Sequence, residues 1–160
     1  DTSIAAVASY QPFMSQALTN SASRKPTLLI SSKDSDIIVD VITARQDDIK
    51  ANPVKYQNFL KGIYKAVELY KTDPAKFISI AAPHYNITDA EVKDVLDTSL
   101  VYSDLATAEA DIGTPAKPGK LYGIFDTVMQ LNLENGAADT KLDAAKQIDS
   151  SVMAAVAAGK

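Results

Sequence analysis

Few residues of this chain could do chemistry, and most of them fail a spacing test. His84 is the sole histidine and there is no cysteine, so a transition-metal site would have to be built from carboxylates alone, and no metal site is expected. Ser31 and Ser32 follow an apolar run, yet GxSxG is absent and no histidine stands near to act as base, which argues against nucleophilic catalysis. The glycines are scattered singly, so neither GxGxxG nor GxxxxGK[ST] occurs and no nucleotide or other cofactor is expected. Two places remain. Tyr10-Gln11-Pro12 stands at the carboxyl end of an apolar segment, the end at which α/β sheets present ligand-contacting groups. A ring beside an amide suits a small solute, although the tyrosine could equally just cover a strand end. The second place is Asp40, inside the stretch DIIVDVITARQDDIKANP, where Ile37, Ile38, Val39, Val41 and Ile42 surround one carboxylate. A buried carboxylate needs a partner or becomes protonated, so Asp40 calls either for a structural pair or for a polar cleft that the strand crosses.

The elements that would position these residues follow from periodicity. SIAAVAS, TLLIS and IIVDVITAR read as strands, with a helix over QPFMSQALTN between the first two and Pro12 in its first turn. After Arg45 the pattern turns helical. Asn52-Pro53 and Asp73-Pro74 each place a capping residue before a proline, which predicts helices from Pro53 and from Pro74. Tyr56, Phe59, Leu60, Ile63, Val67 and Tyr70 share one face of the first, with Lys55, Lys61, Lys65 and Lys71 on wetter faces. Those tyrosines, with Tyr64, read as packing. TDAE at 88–91 is a capping box for a further helix. LYGIFDTVMQLNLENG gives Leu121, Phe125, Val128 and Met129 one stripe that stops at Asn135-Gly136, and DIGTPAKPGK before it reads as a loop.

Composition narrows the class. At 160 residues the chain is about one domain long, enough to bury roughly 68 to 70% of its unfolded surface. A hydrophobic share of 46% and a charged share of 22% are ordinary for a globular domain, and no apolar run approaches the ~20 residues needed to span a bilayer. The net charge of −4, with acids and lysines interspersed, offers no basic stripe for phosphates, so nucleic acid is not an expected partner. No basic segment with a secretory apolar core opens the chain, so any targeting signal is expected to lie elsewhere.

The order of these pieces carries a resemblance. YQPF, TLLISSKD, IIVDVITAR, IKANPVKYQNFLKGIYKAVELYKTDPAK, ITDAEVKDVL and KPGKLYGIFDTVMQLNLENG together resemble the carboxyl-terminal portion of solute-binding proteins of ABC importers. The group most similar in appearance serves taurine, aliphatic sulfonates, nitrate and thiamine pyrimidine precursors. The resemblance implies an α/β, type II two-lobed fold, with strands at the start and mainly helices after residue 45. Residues 1–40 would end the second lobe and include the crossing strand; residues 41–160 would form the carboxyl-terminal part of the first lobe. A strand covered by both lobes can be apolar on both faces while one position at the cleft stays polar, which implies a ligand site of Tyr10, Gln11, Pro12, Ile38 and Asp40. It further implies a non-enzymatic receptor, periplasmic or extracellular and membrane-anchored, that delivers its solute to a permease. Relatives often show Trp-Glu-Pro where this chain has Tyr10-Gln11-Pro12, so the solute class does not transfer. They also carry much additional chain before this point, so an amino-terminal fragment is an expected partner. Two alternatives are a same-fold thiamine-pyrimidine synthase, whose histidine-rich motif is not found here, and a free-standing helical interaction module.

Overall fold

The computed structural model describes residues 4–11, 13–20, 25–32, 35 and 37–159, and these are mostly helical, at 61%. The chain divides into two units. The first, Asp1–Ser31 with Asp73–Val101, holds α1 (Phe13–Asn20), α4 (Pro74–Tyr85) and α5 (Asp89–Thr98). The second, Ser32–Thr72 with Tyr102–Lys160, holds α2 (Gln46–Ala51), α3 (Pro53–Thr72), α6 (Leu105–Ile112), β1 (Gly113–Thr114), β2 (Lys117–Pro118), α7 (Lys120–Glu134), α8 (Ala144–Gln147) and α9 (Ser151–Ala157).

In the first unit, local chemistry sets the helix ends. Asp73 accepts a hydrogen bond from the Lys76 N–H at 3.0 Å, and Pro74 occupies the first turn, where its missing N–H costs nothing. At the other end Asn86 takes a left-handed conformation, φ 54°, and its N–H and that of Ile87 satisfy carbonyls of the last turn. Thr88 and Glu91 then close a complete capping box at the start of α5. α4 packs on α5, and Ala82, Val92 and Leu96 are the buried residues there.

The second unit is built around α3, whose buried residue is Val67, and α9, whose buried residues are Met153 and Val156. The Tyr64 hydroxyl reaches the Met153 sulfur at 3.7 Å, and burial pushes that hydroxyl's pKa up. α6 packs on both α7 and α9, and α7 on α8. Between α6 and α7 the expected proline- and glycine-rich loop contains a two-residue antiparallel ladder, Gly113 opposite Pro118 and Thr114 opposite Lys117. Gly113 has φ 61°, and a Cβ on Gly119 would collide with the carbonyl oxygens of Ala110 and Asp111, so the two helices approach across glycine.

Several expectations are corrected. The α/β start is not formed among the described residues: SIAAVAS, TLLIS and IIVDVITAR make no ladder, and β1–β2 is the sheet that the described chain contains. β-Branched residues favour a pleated surface only where a neighbouring strand supplies cross-strand contacts, and among the described residues no strand forms a ladder with these runs. Leu28, Leu29, Ile30, Ile38, Val41 and Ile42 are accordingly exposed. The Pro53 helix forms as expected, but Asn52 closes α2 and gives its side-chain amide to Asp48 instead of capping α3. On α3 Leu60 and Ile63 are half-buried and Val67 buried, whereas Phe59 is 55% exposed.

Candidate functional site

The structure treats the five residues singled out from the sequence as two pairs and leaves one aside. Tyr10 and Gln11 precede α1 in the first unit, Ile38 and Asp40 lie in the second, and Pro12 falls outside the described residues. The Tyr10 carbonyl accepts the Met14 N–H at 3.0 Å, and the Gln11 side-chain oxygen accepts the Ser15 N–H at 3.2 Å. Together they satisfy donors of the first helical turn that would otherwise be orphaned. Because a backbone N–H needs an acceptor, the Gln11 oxygen must face the helix and its NH₂ must face away. The Ser15 hydroxyl in turn donates to Asp94 on α5 at 3.2 Å, linking α1 to the helical pair.

Beside this turn Tyr10 and Phe13 meet edge to face, with centroids 5.5 Å apart and an interplanar angle of 84°. Tyr10 is 73% exposed and Phe13 54%, so the rings contribute surface and little core. Chemically the constellation offers an aromatic face and an amide donor. Ile38 and Asp40 are both exposed, which answers the question of the apolar run differently from either expectation: water can solvate the Asp40 carboxylate, so it needs no buried partner.

An open cleft of about 380 Å³ lies in the second unit, lined by Ile37, Lys120, Gly123, Ile124 and Thr127, and none of the sequence-chosen residues lines it. Lys120 is ion-paired there with Asp111 at 3.3 Å. His84 stacks edge-on with Tyr85 near the end of α4, and no group of three metal-ligating side chains occurs among the described residues. The Tyr122 hydroxyl on α7 is buried and has no hydrogen-bond partner among them.

Sequence reasoning missed a dense polar cluster around Asp48. Asp48 accepts from the Asn52 amide at 2.6 Å, the Lys55 ammonium at 2.7 Å and the Tyr56 hydroxyl, which hold its carboxyl well below the usual range, at about 2. Spacings of four, seven and eight along two adjoining helices were the available signal. Arg45 makes two hydrogen bonds to Asp47 beside it, at 3.1 and 2.6 Å. Asp104 was also missed: it caps α6 through the Thr107 N–H at 2.9 Å and pairs with Lys71 at 3.0 Å, which lowers its pKa strongly. Both clusters fix helix ends. Comparison with family models, with characterised proteins and with solved structures found no match.

Proposed function

We propose that the chain belongs to an extracytoplasmic solute-binding receptor that captures a small molecule in a cleft between two lobes and delivers it to an ABC import permease. The observation that carries this reading is the Tyr10–Phe13 pair beside Gln11, large aromatic surface held in water by a built helical turn. Aromatic faces with a few placed polar groups are the usual recipe of a small-molecule site. The order of motifs that resembles this receptor class supports it, as do helices beginning at Pro53, Pro74 and Asp89 along the segments that carry the resemblance. In this reading Gln11 selects through an amide hydrogen bond, and closure on the solute follows from tighter binding by the closed state. No helix among the described residues is long and apolar enough to cross a membrane.

Calorimetric titration of the intact protein against sulfonates, pyrimidines, amides and carboxylates tests the reading. At least one ligand is expected to bind, and Tyr10→Ala to weaken it tenfold or more, about 1.4 kcal/mol, with helical content unchanged. If no panel member binds, or if Tyr10→Ala leaves the affinity intact, Tyr10 is surface and the receptor reading loses its support.

A further inference from the structure

Among the asparagines of the chain Asn135 alone precedes glycine. Asn52 precedes Pro53, which has no N–H, Asn58 and Asn132 lie inside α3 and α7, and Asn86 precedes the branched Ile87. The neighbour matters chemically: the main-chain nitrogen one residue on can attack the side-chain amide carbon and close a five-membered ring, and glycine brings no Cβ to obstruct it. Asn135 and Gly136 are both exposed, and the Asn135 side-chain amide bonds to none of the described residues. Together they end α7: Asn135, at φ −87° and ψ 0°, is its cap, and Gly136 follows at φ 69°. The Gly136 N–H donates to the Leu133 carbonyl at 3.1 Å, and those of Ala137 and Ala138 both donate to the Asn132 carbonyl, at 2.8 and 3.1 Å. At ψ 0° the Gly136 nitrogen eclipses the Asn135 nitrogen and not its Cβ, so ring closure waits for this turn to open. The last turn of a helix is where opening costs least.

We propose that Asn135-Gly136 is a self-modification site, at which water slowly converts the end of α7 from a fixed cap into a loosened joint. The Gly136 nitrogen adds to the Asn135 Cγ, its proton passes to the amide nitrogen, and the Cγ–Nδ2 bond breaks with loss of ammonia. Water then opens the succinimide. Addition at Cγ breaks the new bond and leaves aspartate in an ordinary chain; addition at the Asn135 carbonyl carbon breaks the original peptide bond and leaves isoaspartate, with the chain running through Cβ and Cγ. In net terms one amide and one water become one carboxylate and one ammonium, and nothing is oxidised or reduced. Either product adds a negative charge to the formal −4 of the chain, beside the free carbonyls of a helix C-terminus, where the macrodipole opposes it. Isoaspartate goes further. Its extra backbone atom falls between the Asn135 N–H, bonded to the Leu131 carbonyl, and the N–H groups of residues 136–138 that tie the chain back onto α7. Those ties lose their register, and the segment leading to α8 is released.

The test ages the intact protein at neutral and mildly alkaline pH, with the same protein unfolded in urea alongside. Trypsin releases Leu121–Lys141, which holds Asn132 and Asn135 together, so Asn132 is the reference within one peptide. Fragmentation mass spectrometry separates aspartate from isoaspartate. In the folded protein Asn135 should convert at least tenfold faster than Asn132, with isoaspartate the larger product, and urea should speed the conversion at least threefold by removing the turn. Asn135→Gln, which would have to close a six-membered ring, should stay intact at this position. Amide hydrogens at residues 136–138 should exchange at least threefold faster in the aged parent than in the fresh protein, and aged Asn135→Gln should show no such change. Conversion at Asn135 no faster than at Asn132, aspartate without isoaspartate, a folded rate equal to that in urea, or unchanged exchange at 136–138 in converted protein would overturn the proposal. None of these outcomes depends on the solute titration, so the modification site and the receptor reading stand or fall separately.

Discussion

Val67→Ala and Phe59→Ala separate the observed packing of α3 from the stripe that periodicity alone supports. Both residues lie on the same apolar face of the sequence pattern, so the pattern assigns them similar weight. In the structure Val67 is 8% exposed on the helix that packs against α9, while Phe59 is 55% exposed. Shortening Val67 removes two buried carbon groups at about 0.8 kcal/mol each and leaves a cavity term, for a loss of about 1.5 to 3 kcal/mol. That is a sizeable fraction of the roughly 5 to 15 kcal/mol typical of a folded domain. For a chain of this size it corresponds to a fall in Tm of about 3 to 12 °C at roughly 2 to 4 °C per kcal/mol. Phe59→Ala, at a solvated position, should stay within about 0.5 kcal/mol of the parent. The assay is urea unfolding of both variants followed by circular dichroism, comparing midpoints at unchanged slope. A cost for Phe59→Ala equal to or above that of Val67→Ala would refute the reasoning, because it would mean that the Phe59 side of α3 is covered.

Acid titration should expose the Asp48 cluster: its carboxyl is pushed down from 3.8 to about 2 by hydrogen bonds from Lys55, Tyr56 and Asn52. A depressed carboxylate stabilises the fold above its unfolded value and loses that contribution as pH falls through the folded one, so Asp48→Asn should flatten the stability profile between pH 3.8 and about 2. NMR titration of the side chain and denaturant midpoints across that window check it. Two glycines should respond in opposite directions in denaturant midpoint. Gly123 lies inside α7 with open space where an added methyl group would stand, so Gly123→Ala should stabilise by about 0.5 to 1 kcal/mol; Gly119→Ala must displace backbone carbonyls of α6 and should cost about 1 to 3 kcal/mol. Thr88→Ala removes the hydroxyl that accepts the Glu91 N–H at 3.3 Å and should cost about 1 kcal/mol, read as a fall in Tm of roughly 2 to 4 °C.

What the sequence determined by itself was the punctuation of the helices. Asp73-Pro74, Thr88 with Glu91, and Asn135 followed by Gly136 at φ 69° act through bonds spanning a few residues, so their chemistry is complete before any tertiary contact forms. α6 was equally accessible in principle, since Asp104 caps it by the same local rule, although nothing in its short apolar pattern announced it. Tertiary structure decided the rest. Whether Val67 or Phe59 is covered depends on where α9 lies, because a helical stripe is wider than the contact that one neighbouring helix makes. Whether IIVDVITAR becomes a strand depends on an edge to pair with, since strand preference resides in cross-strand contacts and not in the segment alone. The site residues divide the same way: Gln11 was legible as an amide beside a ring, but the direction of its donor was set only when its oxygen found the Ser15 N–H in the folded turn.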